Sequence, residues 1–430
     1  MSFIKTALSE SYDYYENRVN NDIERNRKGN FGITVLNNKK PIPNAEVAYK
    51  LKRHDFDFGS NIFMLDQYDN QKQQDTYLTQ WKKIFNTAVI PFYWAGTEPE
   101  RDLLRYSADS LNNVYRRPPC DRVVQYCREN NITMKGHPLF WHEFVPWWLP
   151  QNWNELLPLI EKRFREISER YADIIPVFDC VNEPSRLFDQ IFESRQNDWN
   201  YVFPPTDYVE QIFALAEKYF KNNTLILNEA TGASFCDYRG RYGGNYLLLE
   251  KLINNGIKID RIGLQCHCFD DEYYKNIFNS ERLYRLLDGY ATLKKPLVIS
   301  EISISQEDEE IQASAVERLY RVCFSHEAVN GIFWWNLDDN GISSVRNAKG
   351  ENLPYGGLCR NGKEKLSYKI IDKLINEDWH TEGKEHLSDG KMNFNGFYGE
   401  YEIIITANGI KKNVAANFKK NSSCEVIIEI

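Results

Sequence analysis

Residues 176–183 read Pro176-Val-Phe-Asp-Cys-Val-Asn-Glu183, a short apolar run that ends in an amide and a carboxylate. Its length and composition are typical of a parallel strand that is buried on both faces. Seven other runs of this kind occur, with amphipathic helical segments such as 153–171 and 207–220 between them. The eight runs cover residues 54–62, 85–92, 132–141, 176–183, 225–229, 261–267, 296–302 and 331–337.

Eight strand–helix units over roughly 320 residues predict an α/β fold of the (β/α)8 TIM-barrel type. A doubly wound open sheet would alternate in the same way, so the count alone does not exclude it. The chain has no Gly-x-Gly-x-x-Gly after its first strand and no P-loop, which removes the usual nucleotide-binding interpretation of an open sheet. We therefore predict a closed barrel.

Both ends of the chain contain strand patterns outside the eight units. Segments 31–36 and 46–51 flank a turn rich in Asn and Pro, and segments 397–406, 413–418 and 425–430 follow near the carboxyl end. We predict an N-terminal helix and strands in 1–55, a catalytic barrel in 56–378, and C-terminal strands in 379–430. The strands of the two ends are expected to pack together as a small β-sandwich, either as a brace on the barrel or as a carbohydrate-binding surface.

Charge and composition argue against a nucleic-acid-binding or membrane-spanning protein. The formal net charge of −8 argues against a nucleic-acid partner, because phosphate neutralisation needs clustered Lys and Arg. No stretch of about 18 apolar residues predicts a membrane span, and residues 1–25 contain no secretory signal. The nine cysteines form no Cys-x-x-Cys pair, and Cys180, Cys266, Cys268 and Cys323 lie in apolar surroundings. We expect free thiols and a cytoplasmic location, or an extracellular one if a leader was removed.

Polar side chains cluster at the carboxyl ends of the predicted strands, which is the face where barrel active sites form. Two of them are carboxylates, Glu183 and Glu301, expected to face one another across the barrel mouth. Glycosidic cleavage needs such a pair, one protonated to assist the leaving oxygen and one ionised to attack the anomeric carbon. The structural alternative is a buried salt-bridge role. The other polar or aromatic residues at these ends are His137, Trp141, Asn182, Asn228, Gln265, His267 and Trp335.

Six segments, in order, resemble the motifs of glycoside hydrolase family 10, the endo-β-1,4-xylanase family. The resemblance runs from about residue 56 to 371. The segments are Gly136-His-Pro-Leu-Phe-Trp-His142, Val177-Phe-Asp-Cys-Val-Asn-Glu183, Ile262-Gly-Leu-Gln-Cys-His267, Val298-Ile-Ser-Glu-Ile302, Gly331-Ile-Phe-Trp-Trp335, and Gly357-Leu with Lys365-Leu-Ser-Tyr368.

The resemblance implies a role for each matching position. Glu183 would be the acid/base and Glu301 the nucleophile, with retention through a covalent glycosyl-enzyme. Asn182 would hydrogen-bond the 2-hydroxyl of the sugar being cleaved, and His137 would contact that sugar. His267 would hold Glu301 ionised and Gln265 would line its side, while Trp141 and Trp335 would form apolar walls. It implies no cofactor, no metal, and an oligo- or polysaccharide as the binding partner.

The second strand departs from the family pattern. The Asn and Lys that would bind the next sugar on the glycone side are replaced by Ile90 and Tyr93, and an expected Gln by Phe144. The Asp-Tyr-Asn after the fifth strand is Glu229-Ala-Thr231, and Ser343 stands near the place of a second Trp. Because a site that lacks hydrogen-bond donors discriminates against the sugar that needed them, we expect a shifted substrate. Candidates are a decorated xylo-oligosaccharide or a β-linked glycan with an apolar substituent.

Three further interpretations stay open. The chain could be a glycosidase for a different β-linked glycan, or a catalytically silent sugar-binding protein that uses the barrel cleft. A zinc site of His137, His142 and His267 is conceivable, but no His-Glu-x-x-His spacing or Cys pair supports it. Oligomeric state, partner proteins and endo or exo action are not readable from the sequence.

Overall fold

A computed structural model describes residues 2–10, 12–110, 114–186, 202–339 and 355–430. Its helices are α1 (Phe3–Ser9), α2 (Tyr12–Arg27), α3 (Gln71–Ile84), α4 (Trp94–Thr97), α5 (Cys120–Glu129), α6 (Trp153–Tyr171), α7 (Tyr208–Tyr219), α8 (Gly244–Asn254), α9 (Ser280–Ala291), α10 (Glu309–Ser325) and α11 (Leu366–Lys373). Ser343 lies outside the described residues.

Eight parallel strands close into a barrel in the order β10-β11-β4-β5-β6-β7-β8-β9. The strands are β4 (Asp57–Asn61), β5 (Thr87–Pro91), β6 (Thr133–His137), β7 (Val177–Asn182), β8 (Thr224–Glu229), β9 (Arg261–Phe269), β10 (Leu297–Ser305) and β11 (Val329–Trp334). Each of the eight predicted runs overlaps one of them, and four of the strands extend beyond their run at one end. The predicted (β/α)8 barrel is confirmed, and closure of the sheet removes the open-sheet alternative.

The barrel strands and helices form for the expected physical reasons. All six residues of β7 are buried, as in a strand covered on both faces. In α6, Leu156, Ile160, Phe164, Ile167 and Tyr171 are buried at helical spacing. The third predicted run was too long at its carboxyl end, because β6 ends at His137 and the next peptide bond, to Pro138, is cis.

Strands from the two ends of the chain form two four-stranded sheets. One sheet has the order β15-β1-β18 with β2 beside β1, and the other has the order β14-β3-β16-β17. The strands are β1 (Lys28–Asn37), β2 (Lys40–Pro41), β3 (Ala45–His54), β14 (Glu382–Leu387), β15 (Lys391–Phe397), β16 (Gly399–Ala407), β17 (Ile410–Phe418) and β18 (Glu425–Glu429). A short hairpin, β12 (Cys359–Arg360) and β13 (Lys363–Glu364), precedes α11.

Aromatic rings fill the space between these two sheets. Phe31 of β1 stacks on Phe418 of β17 with ring centroids 4.3 Å apart, and Phe394 and Tyr401 contact Phe31 edge-on. Strands of the two chain ends therefore pair and share a core, as predicted. The division into 1–55, 56–378 and 379–430 stays a prediction.

Two further expectations concern the cysteines and membrane-spanning segments. All nine cysteines are free, and Cys180, Cys266, Cys268 and Cys323 are buried. Among the described residues, no helix has the length and apolar character needed to cross a bilayer.

Candidate active site

The two predicted glutamates lie at the same end of the barrel. Glu183 directly follows β7, and Glu301 lies within β10, with β8 and β9 between these strands. Both are buried, with exposures of 6% and 4%. Glu183 has a left-handed backbone with φ of 50°, an unusual conformation for a residue other than glycine. Such conformations cluster at functional sites, where the surrounding structure holds them in place.

Asn228, at the carboxyl end of β8, bridges the space between the two strands. Its amide nitrogen donates to Oδ1 of Asn182 at 2.7 Å and to Oε1 of Glu301 at 2.8 Å. Its amide oxygen accepts from the Ser300 hydroxyl, and its backbone carbonyl accepts from the N–H of Glu183 at 2.7 Å. One buried side chain therefore links both predicted carboxylate positions.

Two histidines flank the Glu301 carboxylate. His267 Nε2 lies 3.2 Å from Oε2, and His137 Nε2 lies 3.8 Å from Oε1. The Asn228 amide on Oε1 and the His267 ring on Oε2 therefore give each oxygen of Glu301 a hydrogen-bonding partner.

A charged group inside the barrel orients His137. Its Nδ1 lies 2.7 Å from Oδ2 of Asp179, and Nζ of Lys135 donates to the same oxygen at 2.7 Å. Burial would raise the pKa of Asp179, but the Lys135 ammonium and the His137 hydrogen bond hold it below its ordinary value. The ionised Asp179 fixes the proton of His137 on Nδ1, which leaves Nε2 directed towards Glu301.

Glu183 has two charged neighbours. Nη1 of Arg186 lies 3.2 Å from its Oε2. The carboxylate of Glu229, at the end of β8, is buried and interacts electrostatically with Glu183. Burial raises the pKa of Glu229 to about 7, with Glu183 adding to the rise and hydrogen bonds from Ala230 and Ser185 opposing it.

Glu229 also holds the segment that carries Glu183. It accepts from the Ser185 hydroxyl at 2.8 Å and from the Ser185 N–H at 3.2 Å. The N–H of Ala230 donates to it at 2.7 Å. Because Ser185 is two residues from Glu183, these bonds fix the turn that aims the predicted acid/base.

Aromatic rings border the Glu301 side of the mouth. Trp335, after β11, lies edge-on to His137 at 5.5 Å and to His267 at 6.1 Å. Tyr93, after β5, contacts the rings of His137, Trp141 and Phe144 at centroid distances of 5.4, 6.0 and 5.5 Å.

The predicted catalytic and substrate-binding residues therefore belong to one assembly: Glu183, Glu301, Asn182, His137, Trp141, Gln265, His267, Trp335 and Tyr93. Gln265 donates to Asn182 at 3.3 Å and joins the same network. Their chemical roles stay predictions. Sequence reasoning did not assign roles to Lys135, Asp179, Ser185 and Ser300, although charged residues inside buried strands were visible in the first two cases. In the described ranges, His, Cys, Asp and Glu form no group of three or more that could hold a metal ion.

Comparison with known proteins assigns the family. The model of Glycosyl hydrolase family 10 matches residues 51–373, three quarters of the chain. The chain belongs to glycosyl hydrolase family 10. The resemblance inferred from the motifs is confirmed, and residues 51–373 form a glycosyl hydrolase family 10 domain.

Curated relatives and solved structures agree with the family. The chain is 27% identical over 419 residues to "Anti-sigma-I factor RsgI6" of Acetivibrio thermocellus, covering 94% of this chain and 48% of that protein. It is 28% identical over 250 residues to "Endo-1,4-beta-xylanase B" of Cellvibrio japonicus, covering 56% of this chain and 37% of that protein. This family 10 chain thus spans about half or less of the length of these relatives.

Among solved structures, xylanase 10B from Thermotoga petrophila RKU-1 in complex with xylobiose matches with a TM-score of 0.57 and 21% identity. The match covers 75% of this chain and 94% of that chain. At this identity the likeness concerns the fold of the family 10 barrel.

Proposed function

We propose that this family 10 protein is a retaining glycoside hydrolase that cleaves β-1,4-linked xylan or xylo-oligosaccharides. Glu183 is the acid/base and Glu301 the nucleophile in this proposal. The observation that carries it is the Glu301 carboxylate, buried and hydrogen-bonded by Asn228 and His267, in one network with the strand end that bears Glu183.

In the first step, an oxygen of Glu301 attacks the anomeric carbon while Glu183 gives its proton to the departing glycosidic oxygen. The glycosidic bond breaks and an ester bond to Glu301 forms. In the second step, the now ionised Glu183 takes a proton from water, and the water oxygen displaces Glu301. Two inversions at one carbon retain its configuration.

The contacts of the strand ends fit these two steps. The Arg186 guanidinium lies 3.2 Å from the Glu183 carboxylate, and Glu229 holds the turn that carries Glu183 through its bonds to Ser185. Asn182 is available to a sugar hydroxyl, and a hydrogen bond there strengthens as positive charge develops on the sugar.

The choice of xylan rests on relatives. Curated relatives are named endo-1,4-β-xylanases, and one solved relative is described in complex with xylobiose. Ile90, Tyr93 and Phe144 replace the polar residues expected around the second sugar, which favours a decorated xylo-oligosaccharide or another β-linked glycan over plain polymer. Equal kcat/KM on long unsubstituted xylan and on short or decorated chains would contradict this substrate shift.

The test uses aryl β-xyloside, β-xylobioside, β-glucoside and β-cellobioside, whose activated phenolates depart without full acid assistance. We expect Glu301→Ala to lose at least about 10⁴-fold in kcat. Glu183→Ala should still form a glycosyl-enzyme, and azide should restore turnover and yield the β-glycosyl azide. The preferred glycone identifies the substrate class.

Glu377→Ala is the matched control, because Glu377 is an exposed glutamate in the turn after α11. It should behave as the wild type. Equal loss in both catalytic variants without azide rescue, or an α-configured azide product, would contradict the assigned roles.

A second candidate is a carbohydrate-binding protein without catalysis. The observation in its favour is that one curated relative, matched over 94% of this chain, is named as an anti-sigma-I factor and not as an enzyme. If the wild type cleaves no aryl glycoside or oligosaccharide but binds oligosaccharides by calorimetry, this candidate replaces the hydrolase.

A further inference from the structure

The mechanism itself divides the mouth of the barrel into two sides. The nucleophile lies under the sugar that is being transferred, and the acid lies beside the leaving group. The transferred sugar therefore sits over Glu301, and the leaving group extends past Glu183. This division rests on the proposed function.

On the side of the transferred sugar, the barrel rim is filled by protein. Phe63 after β4, Tyr93 after β5 and Trp335 after β11 are 0%, 3% and 4% exposed, respectively. Phe63 lies edge-on to both other rings, at 5.9 Å from Tyr93 and 5.5 Å from Trp335. Three neighbouring strands thus contribute one continuous aromatic wall.

The outer side of this wall is covered as well. The Arg117 guanidinium lies 3.8 Å from the ring centroid of Tyr93, which occupies that ring's face. Trp141 and Phe144 stack on each other at 5.0 Å and pack against the buried cluster. Ile90, the other position where the family places a polar residue, is fully buried within β5. A second sugar ring has no exposed surface at Tyr93, Phe63 or Ile90 to bind.

The opposite rim of the barrel exposes its aromatic rings to solvent. In the closed order of strands, β8 and β9 lie across the barrel from β4 and β5. The loops after β8 and β9 carry Tyr242 and Tyr273, which are 86% and 49% exposed. Aromatic faces in water are the surfaces on which successive sugar rings stack. The leaving-group side is therefore open where the glycone side is closed.

From this asymmetry we propose that the enzyme acts from the non-reducing end of its substrate. The site holds a single sugar on the glycone side, and the rest of the oligosaccharide lies along the rim of β8 and β9. Its substrates are β-linked oligosaccharides with a free terminal sugar, and each turnover releases one monosaccharide.

The experiment follows the first product from xylotetraose labelled at its reducing end with 2-aminobenzamide. We expect labelled xylotriose and free xylose, and kcat/KM for aryl β-xylobioside at least about 10-fold below that for aryl β-xyloside, because its second sugar has no room on the glycone side. Labelled xylobiose as the first product, or a kcat/KM for the xylobioside equal to or above that for the xyloside, would overturn the proposal.

Substitutions in the aromatic wall test whether the wall limits the glycone side to one sugar. Tyr93→Ala should raise kcat/KM for the aryl xylobioside relative to the aryl xyloside at least about 10-fold, because it opens space for a second sugar. Tyr126→Ala removes an equally buried ring from α5, away from the mouth, and should leave the ratio unchanged. If Tyr93→Ala does not fold, Phe144→Ala at the half-buried edge of the wall gives the same comparison.

The outcomes separate this inference from the proposed function. Internal cleavage of xylotetraose with intact azide chemistry at Glu183 leaves the hydrolase assignment standing and overturns only the exo mode. No cleavage of any xylo- or gluco-configured substrate overturns both.

Discussion

At the scale of single residues, protonation of Glu229 makes the free energy of unfolding depend on pH. It is fully buried, and burial raises its pKa to about 7 from an ordinary value of 4.5. Below about pH 4.5, folded and unfolded chains both hold this proton. Between about 4.5 and 7 only the folded chain keeps it, so stability is lost as pH rises through this window, by about 3 kcal/mol.

We predict that Glu229→Gln removes this loss, because an amide does not titrate. The melting temperature of the variant, relative to the wild type, should rise between pH 4.5 and 7 and then level off. Calorimetry across pH 4 to 8 measures the difference, with Glu377→Gln at an exposed position as the control. Parallel dependence of the two melting temperatures on pH would show that folding does not raise the pKa of Glu229.

Some residues of the candidate site could be predicted from the sequence, and others could not. Glu183, Glu301, Asn182 and Asn228 end or interrupt apolar runs, and this pattern was sufficient to place them at one mouth. The pairing of Lys135 with Asp179 was not predictable, because it depends on which face of two strands points into the barrel. A run buried on both faces carries no period-2 signal that would indicate the inward face.

At the scale of elements, the last strand, β18, presents one face to the core of the terminal sheets and the other to solvent. β18 pairs in parallel with β1, and adjacent residues of β18 point in opposite directions. Ile428 is 3% exposed and Ile427 is 67% exposed. The two residues offer a matched pair of the same type within one strand.

We predict that Ile428→Ala lowers the free energy of unfolding by about 2–4 kcal/mol, because it leaves a cavity in the sheet core. Ile427→Ala should change it by less than about 0.5 kcal/mol. Chemical denaturation of both variants measures the difference. Equal effects would mean that β18 does not contribute to the core.

In the terminal sheets, an alternating strand was predictable from the sequence and a strand without alternation was missed. β16 alternates buried and half-buried residues, and its prediction from the sequence is confirmed. β14 reads Glu-Gly-Lys-Glu-His-Leu and has one buried residue, so its sequence carries no strand pattern. Its pairing with β3 decides its conformation, which is a tertiary effect.

At the scale of the whole molecule, one aromatic cluster joins the barrel to the terminal sheets. Trp379 stacks on Phe324 of α10 at 4.0 Å and on Phe58 of β4 at 5.8 Å. Phe324 in turn contacts Phe397 of β15 at 6.1 Å. Because these buried rings belong to both parts, we expect barrel and sheets to unfold together.

We predict that Trp379→Ala destabilises the whole chain by about 3–5 kcal/mol and that a single unfolding transition remains. Circular dichroism and tyrosine fluorescence should give coincident denaturation curves. Two separated transitions in the variant would show that the parts unfold independently once this ring is removed. Trp147→Ala, at a position 66% exposed, is the control.

The pairing of β1 with β15 and β18 has a consequence for synthesis of the chain. β1 is translated before the barrel, and its two long partners are translated after it. While the ribosome makes the intervening barrel, β1 lacks these partners, and unpaired strand edges of this kind are prone to aggregation. A chain that ends near residue 380 would therefore contain a barrel with β3 unpaired and β1 paired only with the short β2.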